Sequence, residues 1–144
     1  MTAAHPLEIE LIVEDGVEPG VAEDELVEAA RRTLDHLNVD HGHLAIEIVG
    51  EERIHELNRE HRGKDKPTDV LSFPVDAESV ATEGAPAAGE EPLELGDVVI
   101  NPDHTVNMTE AVVHGVLHLC GFDHEVDNGE MLAEQDRIVE GLGL

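Results

Sequence analysis

The sequence predicts a mixed α/β (or α+β) domain in which a single mixed β-sheet of about four strands is covered by helices. Three observations lead to this fold class. Four short segments alternate in polarity or are rich in β-branched residues, four longer segments repeat apolar residues at a helical period, and the two kinds mix along the chain. With 144 residues, 40% of them hydrophobic, the chain has one domain's length and enough apolar side chains for a core.

The first half of the chain contains two predicted strands and two predicted helices. Residues 7–13 (LEIELIV) and 43–49 (HLAIEIV) alternate between apolar and polar side chains, as half-buried strands do. Residues 22–38 and 51–61 repeat apolar side chains every three or four positions, which predicts helices with one buried face.

The second half repeats this combination. Residues 69–73 (DVLSF) and 95–100 (LGDVVI) are predicted as the third and fourth strands. Helices are predicted over residues 108–119 and 129–142, and Gly121 marks the end of the first of them.

A long segment between the last two strands has a different composition. Residues 76–94 are rich in Ala, Gly, Pro and Glu and lack an apolar period, which predicts a mobile surface loop. We therefore expect one domain over residues 1–144, with a mobile loop at 76–94.

The composition excludes several classes of protein. Aromatic residues make up 1% of the chain, which argues against base-stacking platforms for nucleic acid, and a single cysteine excludes an internal disulfide and a multi-cysteine zinc cluster. No segment approaches the roughly 18 apolar residues of a membrane helix, and the N-terminal residues lack the pattern of a signal peptide. We therefore expect a cytoplasmic protein that does not contact a membrane.

The charge is strongly negative, with 34 acidic and 8 basic residues and a net charge of −26. The acidic residues are spread along the whole chain, so they indicate either adaptation to a salty cytoplasm or an ordinary acidic surface. Taken alone, this charge argues against a nucleic-acid partner, because neutralising phosphates requires Lys and Arg.

The few basic residues, however, are concentrated. Five of the eight lie within fourteen positions: Arg53, Arg59, Arg62, Lys64 and Lys66. They form either a positive patch on a negative protein or a set of ion pairs with neighbouring carboxylates such as Glu60 and Asp65. The sequence leaves both interpretations open.

The most specific motif is HGVLHLCGFDH, which begins at His114. His114 and His118 lie four positions apart on a predicted helix, so both imidazoles face the same side. Gly121 can end the helix and reverse the chain, which would bring His124 back as a third ligand. Three histidines with an open fourth position are typical of a catalytic zinc site.

Two other residues of the motif limit its interpretation. The spacing resembles the extended zinc-peptidase motif H-E-x-x-H-x-x-G-x-x-H, but Gly115 stands where those enzymes carry a catalytic glutamate. A peptidase is therefore the weaker hypothesis. Cys120 is predicted as a small core residue. The remaining seven histidines fit no ligand pattern and are expected at the surface: His5, His36, His41, His43, His55, His61 and His104.

The sequence resembles the bacterial YbeY-type endoribonucleases, which mature ribosomal RNA. Three blocks carry the resemblance, namely HRGKDKPTDVLSF from His61, LGDVVI from Leu95 and the three-histidine block, and Met131 and Glu134 also fit. Two segments depart from the family's pattern, because residues 101–113 are shorter than usual and residues 76–94 are longer.

The resemblance implies an enzyme that cleaves single-stranded RNA with one Zn²⁺ on His114, His118 and His124, and that acts in 16S 3′-end maturation and ribosome quality control. It also implies a functional arginine at Arg62. The expected partners are ribosomal RNA and the small ribosomal subunit, and no DNA is expected.

The residues themselves agree with this chemistry. The Arg62 guanidinium suits phosphate oxygens, and Asp123 could orient a ligand imidazole, take the proton of a water, or simply stabilise the turn after Gly121. Arg59, Lys64 and Lys66 are predicted to hold the RNA backbone, with solvated surface charges as the alternative. A zinc metallopeptidase and a noncatalytic ribosome-associated factor remain the competing hypotheses.

Overall fold

The structure is a computed structural model that describes residues 7–87 and 93–142. The elements follow in the order β1 (Leu7–Val13), α1 (Glu23–His36), β2 (Gly42–Ile48), α2 (Glu51–Arg62), β3 (Val70–Pro74), α3 (Val80–Glu83), β4 (Glu94–Ile100), a 3-10 turn (Pro102–His104), α4 (Met108–Leu119) and α5 (Glu130–Gly141). Among these helices, none is long and apolar enough to cross a membrane.

The four strands form one mixed sheet in the order β1-β2-β4-β3, which confirms the predicted fold class. β1, β2 and β4 are parallel to one another, and β3 runs antiparallel to β4 at the edge of the sheet. The antiparallel register pairs Ser72 with Val98 and Leu71 with Val99. The block predicted as the third strand therefore lies along one open edge of the sheet.

Helices cover both faces of this sheet, but unequally. The main core joins α1, α4 and α5 to one face of β1, β2 and β4, with Leu26, Ile46, Val98 and Val112 among its fully buried side chains. A smaller cluster lies on the other face, where Ile54 and Leu57 of α2 pack against strand residues. This arrangement places the end of α2 and the middle of α4 on opposite sides of the edge strand β3.

Helix α4 lies unusually close to the sheet. A β-carbon at Gly115 would come within 2.4 Å of Val98 Cγ1 on β4, so only glycine permits this approach. The Ser72 hydroxyl of β3 donates a hydrogen bond of 2.7 Å to the Gly115 carbonyl. α4 is thus held against both β4 and β3, and its N-terminus is capped by the Asn107 side chain, which accepts from the Glu110 N–H.

The segment predicted as a loop contains more structure than its composition suggested. Within residues 76–94 the structure has the one-turn helix α3, and Ala77 and Val80 are buried in the main core. The Ala81 N–H donates to the Cys120 carbonyl at the end of α4. Two isolated apolar side chains produce no periodicity, which is why this packing was not predicted. Residues 88–92 of the predicted loop lie outside the described residues, and its mobility stays a prediction.

Two further predictions concern single buried side chains. Cys120 is fully buried, as predicted, and burial raises the pKa of its thiol to about 12. The prediction that the seven other histidines lie at the surface is wrong for His41, which is buried, with its Nδ1 atom 2.9 Å from Asp40 Oδ1. His41 immediately precedes β2, and its burial depends on the packing around that strand. His5 lies outside the described residues.

Candidate metal centre and RNA cleft

Helix α4 presents two of the predicted ligands on one face. His114 and His118 lie one turn apart, and their ring centroids are 4.7 Å from each other. Both side chains are half-buried although most of the helix is fully buried, because this face lines a cavity beside the edge strand β3 and does not pack into the core.

A glycine turn returns the chain to these two histidines. The Gly121 N–H donates to the His118 carbonyl (3.0 Å) and the Phe122 N–H to the Leu117 carbonyl (3.1 Å), which is the bond pattern of a Schellman C-cap. Gly121 has φ +96°, and a β-carbon there would lie 1.9 Å from the Glu78 carbonyl oxygen. The predicted chain reversal is confirmed, and the backbone just before α3 packs directly against it.

The turn brings His124 beside the helical pair. Its ring centroid lies 5.2 Å from that of His114 and 5.1 Å from that of His118. One ligand nitrogen from each of the three imidazoles lies within 4.8 Å of the others. The structure therefore brings together the three residues that the sequence predicted as one metal site.

The environment of His118 favours its neutral imidazole. Burial is the main cause that lowers the pKa of His118, and the neighbouring His114 and His124 lower it further. Asp123 and a backbone hydrogen bond at Phe122 act in the opposite direction. Because only the unprotonated nitrogen of an imidazole can bind a metal, a depressed pKa suits a ligand. The donor set, three imidazoles on an open cavity, fits a zinc ion with a vacant fourth position.

The three histidines form one side of a cavity of about 790 Å³. β3 contributes its floor, and the end of α2 with the following loop contributes the opposite side, where Arg62 and Lys64 are located. Arg62 is exposed, and no carboxylate of the described residues lies within ion-pair distance of its guanidinium. Asp65, one of its expected partners, instead contacts His55 at 2.7 Å.

The loop that carries these cations is tied to α2 by a buried amide. The Asn58 side chain donates to the Lys66 carbonyl at 2.8 Å, and the Lys64 N–H donates to the Asn58 carbonyl at 3.3 Å. Four basic residues were predicted to act on the RNA. Two of them, Arg62 and Lys64, line the cavity, whereas Arg59 and Lys66 do not. The RNA-binding roles of Arg59, Lys64 and Lys66 stay predictions.

Asp123 occupies a place that agrees with more than one of its predicted roles. It lines the cavity next to His124, and its Oδ1 atom accepts a hydrogen bond of 3.0 Å from the Glu125 N–H. That bond supports the turn, as the structural interpretation predicted. A catalytic role for Asp123 stays a prediction.

His61 and Gln135 were not predicted to lie near the three histidines. His61, expected only as a surface histidine, lines the cavity beside Arg62 and packs edge-on against Phe73 with ring centroids 5.0 Å apart. Its position in the basic block was a usable signal. Gln135 of α5 lies 2.7 Å from His114 Nδ1, and nothing in the sequence relates these residues, which are 21 positions apart.

The geometry at Gly115 also bears on the peptidase hypothesis. A side chain at this position would project into Val98 of β4 and not into the cavity. A glutamate could therefore neither fit there nor reach a metal on the three histidines. The glutamate that the peptidase motif requires after its first histidine is therefore replaced by Gly115, and the packing excludes it from this position.

Comparison with known proteins agrees with these observations. A family model described as endoribonuclease YbeY matches residues 14–143. The chain is 37% identical to endoribonuclease YbeY of Bacillus pumilus, over 94% of this chain and 95% of that protein. It is 41% identical to endoribonuclease YbeY of Aliarcobacter butzleri, over 67% and 71% of the two chains. The solution structure of a Thermotoga maritima protein superposes with a TM-score of 0.54 and 26% identity, covering 93% of this chain and 88% of that one. Because the match extends over nearly the whole sequence and includes the histidine motif and the basic block, this chain belongs to the YbeY family of endoribonucleases.

Proposed function

We propose that this protein is a zinc-dependent endoribonuclease that cleaves single-stranded ribosomal RNA, with one Zn²⁺ per chain on His114, His118 and His124. The observation that carries the proposal is the cavity itself, in which the three imidazoles stand opposite the Arg62 and Lys64 cations. A metal site without a facing cation would suit many hydrolases. A metal site opposite an arginine and a lysine suits a phosphodiester.

Held by these three histidines, zinc would supply Lewis acidity to a phosphoryl oxygen and to a water. The three histidines fit this ion because imidazole nitrogen is a preferred zinc ligand and because their positions leave the cavity side open.

The other residues of the cavity act on the substrate. Arg62 binds two oxygens of the scissile phosphate through its planar fork, and Lys64 holds a neighbouring phosphate as a point charge. Asp123 takes the proton of the attacking water at Oδ2, the carboxylate oxygen that does not accept from the Glu125 N–H. One side of the cavity, with Arg62 and Lys64, therefore binds phosphate, and the other side, with the histidines and Asp123, activates the nucleophile.

The biological substrate is inferred from the family. We propose ribosomal RNA and the small ribosomal subunit as partners, with a role in 16S 3′-end maturation and ribosome quality control in the cytoplasm. The acidic remainder of the surface agrees with a restricted contact, since five of the eight basic residues lie in α2 and its following loop.

The test is a cleavage assay on matched substrates. Purified protein is incubated with a single-stranded RNA, with the same RNA in a duplex and with an unstructured peptide, before and after removal of metal by a chelator. We expect cleavage of the single strand alone, loss with the chelator and recovery with added Zn²⁺.

His118→Ala serves as the metal-free control. Zinc-dependent proteolysis without RNA cleavage would establish the peptidase hypothesis instead. RNA binding without turnover, at any salt concentration and with stoichiometric zinc, would establish the noncatalytic factor.

A further inference from the structure

A short hydrogen-bonded chain runs from the start of α4 through α5 to the first histidine of the metal site. Gln135 Oε1 lies 2.7 Å from His114 Nδ1, and Gln135 Nε2 donates to Glu110 Oε1 at 3.3 Å. Gln135 is 8% exposed and stands between Met131 and Ile138 on the buried face of α5. A polar side chain therefore occupies a position on this face where its neighbours are apolar.

The donor and acceptor roles along this chain follow from its first member. The Glu110 carboxylate can only accept hydrogen bonds, so the amide nitrogen of Gln135 must face it. The amide oxygen of Gln135 consequently faces His114, and an oxygen there requires that Nδ1 of the imidazole carries the proton. The unprotonated nitrogen of His114 is then Nε2, the atom available for a metal.

We propose that Gln135, held by Glu110, is a positioning residue that fixes the tautomer and ring orientation of His114 for metal binding. The proposal rests on the proposed function only in taking His114 as a metal ligand. Partners of this kind set which imidazole nitrogen is free, and their loss typically weakens metal binding about 10–100-fold. The hydrogen bond recorded for Asp123 is a different one, which its Oδ1 atom accepts from the Glu125 N–H.

Zinc affinity is the first measurement, made by competition with a chromophoric chelator. Gln135→Leu keeps the size of the side chain and removes the acceptor, so we expect the dissociation constant for zinc to rise about 10–100-fold. The exchange variant Glu110→Gln/Gln135→Glu places a carboxylate at position 135, beside His114, and an amide at position 110, beside that carboxylate. An acceptor for the Nδ1 proton of His114 is therefore kept. We expect this variant to bind zinc within about threefold of the unmodified protein.

Glu134→Leu is the matched control on the same helix. Glu134 contacts His36 and Arg137 and not the histidine cluster, so its replacement should leave the zinc dissociation constant within about twofold. A Gln135→Leu variant that folds and binds zinc as tightly as this control would overturn the proposal.

The tautomer can be observed directly in the metal-free protein by long-range ¹H–¹⁵N NMR of the imidazole rings. We expect His114 to carry its proton on Nδ1 in the unmodified protein and in the exchange variant. A proton on Nε2 of His114 in the unmodified protein would refute the proposal even if Gln135→Leu did not fold. Because neither measurement uses RNA, a failure here is distinguishable from a failure of the proposed nuclease function.

Discussion

Replacement of Arg62 tests the division of the cavity into a metal side and a phosphate side. The guanidinium is exposed and lines the cavity opposite the histidines, and neither Glu60 nor Asp65 forms an ion pair with it. Removing it should therefore change the stability of the fold by less than about 0.5 kcal/mol. Loss of a donor that stabilises charge in the transition state typically lowers the rate about 10²–10³-fold.

The substitutions to compare are Arg62→Ala, Arg62→Lys and Arg59→Ala. Arg59 lies three positions earlier on α2 and is also exposed, but it does not line the cavity. Arg62→Ala and Arg59→Ala change the net charge equally, so a difference between them reports position and not long-range electrostatics. Arg62→Lys should be nearly as damaging as Arg62→Ala, because an ammonium cannot bind two phosphate oxygens in the geometry of a guanidinium.

The assay is single-turnover cleavage of a single-stranded RNA at several KCl concentrations, with zinc content and melting temperature as controls. At about 1 M salt the screening length falls to about 3 Å, so an effect of surface attraction would disappear while a contact with the reacting phosphate would persist. Near-normal rates for Arg62→Ala at every KCl concentration would contradict a contact between Arg62 and the reacting phosphate. So would an equal loss in Arg59→Ala.

Three further predictions concern the metal, the packing of α4 and the sheet surface. His118→Ala should abolish stoichiometric zinc by elemental analysis, and one tightly bound zinc per chain in this variant would disprove the ligand assignment. Gly115→Glu should destabilise the fold by about 3 kcal/mol or more in denaturant titrations, because its side chain meets Val98 in the core, and it should show no peptidase activity. His43→Gln should lower stability by less than about 1 kcal/mol at pH 6, since the hydrogen bond that His43 donates to the Glu94 carboxylate raises the pKa of His43. Because the pKa of His43 is raised in the folded state, its contacts stabilise the fold fully below about pH 6.5, and this stabilisation is lost as the pH rises through the folded-state pKa. A loss of stability in the variant that grows toward pH 9 would therefore contradict the assignment.

The charge distribution explains how so acidic a chain can have a nucleic-acid substrate. Arg62 and Lys64, at the end of α2 and in its following loop, line the same cavity as the three histidines. Asn58 holds that loop through the Lys66 carbonyl, so the position of Lys64 depends on a buried hydrogen bond and not on attraction between surface charges. Whether the remaining acidic surface reflects a salty environment stays a prediction.

Features with local causes could be predicted from the residues of a single segment. The four-residue spacing of His114 and His118 fixes their common face once a helix forms, and Gly121 permits the positive φ that returns His124 to them. The four strands and the four longer helices were likewise predicted, because the spacing of apolar residues can be recognised within a single element.

Contacts between distant segments of the chain could not be predicted in this way. The antiparallel pairing of β3 with β4 brings Arg62 and His61 opposite the histidines, although some fifty residues separate them along the chain. The packing of α5 on α4 places Gln135 at His114, and the approach of α4 to Val98 is what makes Gly115 obligatory. These contacts depend on strand order and on how closely two buried surfaces fit. Neither property leaves a periodic signal in the residues of one segment, so the local rules that reveal a helix or a turn contain no information about them.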